Sequence, residues 1–173
     1  MTSWWRAYVE WMTEFEPLPP VVVDLMDQRA VWFLGVLTTI RIDGASTGGA
    51  LSVLEHREER GHATPLHRHD IADETFLMLD GTLRVEVDGE TYEAGAGALA
   101  FLPRKRSHRF IVTSPTAHFL TLHTPAGFED FAVAAGKSAT PGETAPTAGT
   151  NPAELAKLAA VHGIEILGPP LLL

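Results

Sequence analysis

The 173-residue chain reads as an all-β protein, a sandwich or small barrel, on three observations. Between Val21 and Thr124, short runs rich in Val, Ile, Leu, Phe and Thr are broken by Gly, Pro and Asp-Gly pairs every eight to twelve residues. Within one run, Leu83, Val85 and Val87 alternate with Arg84, Glu86 and Asp88, the period-two pattern of a half-buried strand. Asp88-Gly89 then supplies the two positive-φ residues of a tight type I′ hairpin. Many short antiparallel strands with such turns close into sandwiches or barrels.

The chain divides into four stretches. Residues 1–20 carry an aromatic helix over 3–16, with Ser3 as cap and Trp4, Trp5, Tyr8, Trp11, Met12 and Phe15 at spacings of three and four. The acidic residues among these aromatics favour packing or a dimer contact over a membrane anchor, and Pro17, Pro19 and Pro20 end the helix. Residues 21–131 form the barrel. Its strands are expected at Trp32–Leu34, Leu37–Ile42, Ala50–His56, Leu66–His69, Glu74–Leu79, Leu83–Val87, Thr91–Glu93, Ala98–Leu102, His108–Val112 and His118–Thr124. Residues 132–150, rich in Ala, Gly, Thr and Pro, are expected as a linker. Residues 151–173 open a helix with Asn151 as N-cap, Pro152 at the first position and Glu154 behind it, stop it at Gly163, and end in an apolar tail suited to docking.

Apolar residues make up 45% and charged residues 20%, enough to build a core, so a disordered or fibrous chain is excluded. The net charge of −9 lacks the basic footprint of a nucleic-acid binder and gives no attraction to an anionic membrane. Without cysteine there is no disulfide, thiolate ligand or thiol nucleophile. The longest apolar run, Ala30 to Ile40, is too short to span a bilayer. The start of the chain has no signal-peptide pattern, which predicts a cytoplasmic protein.

The informative segment runs from Gly61 to Gly81. His67 and His69, two apart on a strand, face the same way. Glu74 begins the next strand after a short turn, and His108 opens a later one, where it can supply a fourth ligand from the opposite wall. Three imidazoles and a carboxylate favour one divalent transition metal ion (Fe, Mn, Ni, Co, Cu or Zn) over Ca or Mg. Free imidazoles protonate near about 6.5, so metal release is expected toward and below about pH 6. Alternation places Phe110 on the face of His108, and Phe76 and Met78 on the face of Glu74. With Phe101 these would line an apolar pocket for an aromatic substrate. His56, His62, His118, His123 and His162 have no such company and read as surface or hydrogen-bonded residues. For the strand His118–Thr124, sequence leaves open whether Phe119 and Thr121 or His118, Leu120 and Leu122 turn inward.

Gly61, His67, His69, Glu74 and Gly81, followed by Gly97, Pro103 and His108, resemble the two motifs of the cupin superfamily over residues 50–124. From the chain's own composition, the first five positions would coincide by chance roughly once in 10⁶ windows. Lys105 stands where the family has Gly and Val112 where it has Asn, departures that touch loop shape more than ligation. The resemblance implies a double-stranded β-helix (jelly-roll) barrel with the metal held by His67, His69, Glu74 and His108. Trp32-Phe33-Leu34-Gly35, Asp73-Glu74-Thr75-Phe76, Phe101-Leu102-Pro103 and Gly163 to Pro170 look most like the small bacterial quercetin 2,3-dioxygenase-like cupins. That implies a metal-dependent dioxygenase cleaving a flavonol-like or other enolisable aromatic with O₂, with Glu74 as catalytic base; a homodimer is expected beside it from the aromatic N-terminal stretch. A non-oxidative metal cupin (isomerase, lyase or polyketide cyclase) and a non-catalytic small-ligand binder are the alternatives.

Overall fold

The computed structural model describes residues 18–140, 144 and 151–173. The aromatic helix expected over 3–16 and most of the stretch 141–150 lie outside them. The described residues form two antiparallel sheets. The strands are β1 (Arg29–Phe33), β2 (Val36–Ile42), β3 (Ser52–Glu59), β4 (Pro65–His69), β5 (Asp73–Asp80), β6 (Thr82–Val87), β7 (Glu90–Gly95), β8 (Leu99–Leu102), β9 (His108–Val112), β10 (Thr116–Thr124), β11 (Lys137–Ser138) and β12 (Ile164–Pro170). One sheet has the order β11-β1-β2-β3-β10-β5-β8 and the other β12-β4-β9-β6-β7. The alternating runs and hairpin signals predict a sandwich or small barrel, the cupin resemblance narrows it to a jelly roll, and all ten expected strands are present.

Local chemistry sets the corners. Asp88 and Gly89 both take positive φ, 48° and 87°, as the β6–β7 hairpin requires. Gly81 links β5 to β6 at φ 77°, where a Cβ would lie 2.2 Å from the Thr116 carbonyl oxygen, so only glycine fits.

Two cores fill the molecule. Phe76, Met78, Leu83, Val85, Phe110, Val112 and Phe119 pack between the sheets. Phe76, Phe110 and Phe119 meet edge-to-face with ring centroids 5.5–5.9 Å apart. Full burial of each contributes about 2–3 kcal/mol. The second core joins Val31, Phe33, Ile40 and Leu54 of the larger sheet to four helical residues, Ala159 among them, and Ile164. Phe131 and Ala132 lie on α2 (Phe128–Ala135), and Leu155 on α3 (Pro152–Val161), after the short α1 (Gly44–Thr47).

Sequence reasoning marked α3 through its cap: Asn151 accepts from the Ala153 and Glu154 amides. It missed α2 and β11, which occupy the start of the stretch expected as linker from residue 132. Alanine-rich sequence there forms a helix because Phe128 and Phe131 anchor it on Phe33. The apolar tail docks on the barrel as β12, antiparallel to β4, with Ile164 opposite His69 and Ile166 opposite His67.

Candidate metal centre

The two sheets bring four chemically matched side chains to one point. His67 and His69 project from β4, and His108 opens β9 directly opposite His67 in the same sheet. Glu74 opens β5 in the other sheet, between Leu102 of β8 and His123 of β10. Glu74, not His108, therefore comes from the opposite wall, because β4 and β9 are neighbours in the smaller sheet. One ligand atom from each of the four residues lies within 4.8 Å of the others, and all four are buried. Ligands sharing one ion at about 2.1 Å lie at most about 4.2 Å apart, so the outermost pair has only a few tenths of an ångström to close.

The hydrogen bonds say what the cluster needs. A carbonyl oxygen only accepts, so His67 donates from Nδ1 to the Pro65 carbonyl (2.8 Å) and His108 from Nδ1 to the Arg106 carbonyl (3.1 Å). Both contacts leave Nε2 bare and aimed inward, the tautomer a ligating imidazole takes. The His108 Nε2 lone pair then lies 3.0 Å from Glu74 Oε2. In that tautomer the two lone pairs need a proton or a metal ion between them. His69 Nε2 lies 3.4 Å from the same oxygen and is buried without a hydrogen bond. This orphaned nitrogen and the facing lone pairs fit a shared metal ion.

Burial lowers His67 to about 3 and also lowers His69, so both stay neutral and ready to ligate at pH 7. Burial alone would push Glu74 up. The neighbouring His123, His108 and His69 outweigh it and hold Glu74 well below the usual carboxylate range.

His123 is the residue sequence reasoning missed. It is fully buried, its Nε2 lies 3.3 Å from Glu74 Oε1, and its ring stacks on Phe128 at 4.2 Å. The signal was its parity. It shares a face with Phe119 and Thr121, and this is the face of β10 that turns inward.

A cavity of about 40 Å³ adjoins the cluster, lined by His67 and Glu74 together with Phe76, Phe110 and Phe119. Leu34 and Phe128 add to its wall from the β1–β2 turn and α2. Phe76 and Phe110 thus face the cavity, whereas Met78 is buried in the core behind it. Phe101 is a correction. Alternation on β8 turns Leu102 inward and leaves Phe101 56% exposed, in a separate groove with Tyr92 and Leu99 whose lining includes none of the four ligands.

Lys105 also departs from expectation. It keeps the left-handed turn at φ 67° despite lacking glycine's freedom, and its amide donates to the His69 carbonyl at 2.7 Å. Lys105→Gly is expected to stabilise the protein by roughly 0.5–1 kcal/mol, the left-handed penalty less glycine's entropy. Thermal unfolding checks this, and a lower midpoint would refute it.

Residues 54–123 match the family model described as the cupin domain. A quercetin 2,3-dioxygenase from Bacillus subtilis is 33% identical over 78 residues, 45% of this chain but only 23% of that protein. Among solved structures, a polyketide cyclase from Streptomyces resistomycificus superposes with a TM-score of 0.51 at 23% identity, over 61% of this chain and 80% of its own. A predicted oxalate decarboxylase from Thermotoga maritima gives 0.52 at 20% identity, over 61% and 99%. At such identities these structures speak for the fold alone. No described helix is long and apolar enough to cross a membrane. Residues 54–123 of this chain thus match a cupin domain, and the two-sheet barrel and both motifs agree with that match.

Proposed function

We propose that the chain is a metal-dependent cupin enzyme acting on a compact enolisable aromatic, with dioxygenation of the quercetin 2,3-dioxygenase kind as its reaction. One observation carries the reading: a buried His₃Glu cluster with metal-ligand spacing borders a cavity walled by three phenylalanines. In this reading His67, His69, Glu74 and His108 hold one divalent transition metal. Bound there, the metal would supply Lewis acidity that lowers the pKa of a substrate hydroxyl. Glu74 is the one ligand able to take that proton, and it arrives ionised because imidazoles surround it. Phe76, Phe110 and Phe119 keep water out and present apolar faces to an aromatic ring.

The free volume sets a limit. About 40 Å³ is room for about three waters, the bulk of one small ring rather than of a three-ring flavonol. A flavonol would have to displace Leu34 or Phe128. A homodimer belongs to the same reading.

Dioxygenation places both atoms of O₂ in the product and needs no external reductant. Metal-loaded protein should therefore consume one O₂ per molecule of flavonol or single-ring enol cleaved, and none after metal removal. An oxygen electrode beside product analysis makes the test. Conversion without oxygen uptake would move the assignment to a non-oxidative lyase, isomerase or cyclase. Binding without any conversion would leave a ligand-binding protein.

A further inference from the structure

The inward face of β3 carries Ser52, Leu54, His56 and Glu58. Glu58 is 4% exposed, lines the same cavity as His67 and Glu74, and its Oε2 has no hydrogen-bond partner. Glu55, on the outer face of the same strand, shows what a structural glutamate looks like here. It is held by Arg41, by Arg57 at 3.2 Å and by His118 at 2.7 Å.

Among the described residues, Glu58 meets only His56 at 3.7 Å and His62 at 3.9 Å, both beyond hydrogen-bonding distance. His56 is engaged elsewhere, 3.0 Å from the Thr121 hydroxyl and stacked on Phe119. Burial raises Glu58 to about 8, takes His56 down to about 3 and lowers His62, so the three face one another uncharged at pH 7. A neutral carboxyl is both a donor and an acceptor. One that is buried, unpaired and open to a cavity destabilises the fold without any structural return.

We propose that Glu58 binds substrate, its carboxyl group hydrogen-bonding an oxygen at the end of a single-ring phenolic or enolic compound remote from the oxygen that reaches the four-residue cluster. The assignment rests on the reading that substrate occupies this cavity. It adds that the substrate carries oxygen at both ends. A plain aromatic with oxygens at one end only would leave Glu58 unpaired and forfeit its selectivity, as sites built to hydrogen-bond a group reject analogues that lack it.

The test uses zinc-loaded protein, titrated anaerobically by calorimetry with benzene-1,2,4-triol and with catechol, which lacks the third oxygen. Wild type is expected to bind the triol at least about 10-fold more tightly than catechol. Glu58→Leu should lose that preference, weakening the triol about 10-fold or more and catechol less than about 3-fold, with zinc content unchanged. Glu58→Gln keeps an N–H donor and should retain most of the preference. A preference that survives in the zinc-loaded Leu variant overturns the assignment, as does a wild type that binds zinc but shows none. If wild type binds no zinc, the reading beneath it falls and takes this assignment with it.

Discussion

His69→Ala is expected to emerge from dialysis with little bound metal, its affinity reduced by at least about 100-fold. Loss of an outer partner of a metal ligand already costs about 10–100-fold, and this change removes a ligand itself. His69 Nε2 is engaged by nothing else, being buried, without a hydrogen bond and 3.4 Å from Glu74 Oε2. The barrel should survive, because the alanine replaces a buried polar ring whose one unmet demand disappears with it. Elemental analysis beside thermal unfolding separates the two effects. Stoichiometric metal in the folded variant would show that the four side chains are not the site.

Glu58→Gln is expected to stabilise the protein at pH 7 while leaving the metal cluster whole. The sign follows from the proton count. Glu58 releases its proton near 4.5 when unfolded but near 8 when folded. Between those values the folded state binds more protons, so the contribution of Glu58 to stability falls as pH rises through this window and is fully lost above about 8. At one pH unit per about 1.4 kcal/mol, the deficit at pH 7 is on the order of 3 kcal/mol. His56, whose folded value is near 3, acts in the opposite sense: its contribution falls as pH drops below 6.5. The difference between wild type and the Gln variant isolates Glu58. Denaturant unfolding at pH 5 and pH 8 should give nearly equal stabilities at pH 5 and a clear gap at pH 8. A gap that does not grow with pH would mean that Glu58 has a charged partner after all.

Much of this was written in the residues. Alternating runs and Asp88-Gly89 announce the strands because one-sided burial imposes period two and the tight hairpin demands positive φ. The spacing of His67, His69, Glu74 and His108 brings four donors together because His69 ends β4 while Glu74 and His108 lie at the starts of β5 and β9. What escaped depended on partners remote in sequence. His123 looked like any histidine until the β5–β10 register set it opposite Glu74. Phe101 looked like a pocket residue until Leu102 took the inward position. Lys105 shows a backbone shape kept without the usual glycine, since the His69 carbonyl still claims its amide. Free-imidazole chemistry places metal release near pH 6, and the burial that holds His67 down at about 3 makes that one ligand resist protonation into more acidic conditions.

The pairing of β12 with β4 reaches further than its few residues suggest. β4 matches β9 only at His67 and His108, whereas it runs beside β12 from Pro65 to His69. Two of the four donors therefore owe their rigidity to a segment that returns from about a hundred residues downstream. Ion occupancy and closure of that segment are linked equilibria, and linkage is reciprocal. If the four side chains hold a cation, fraying of the terminal strand would loosen that grip, and a captured cation would in turn slow amide exchange along residues 164–170.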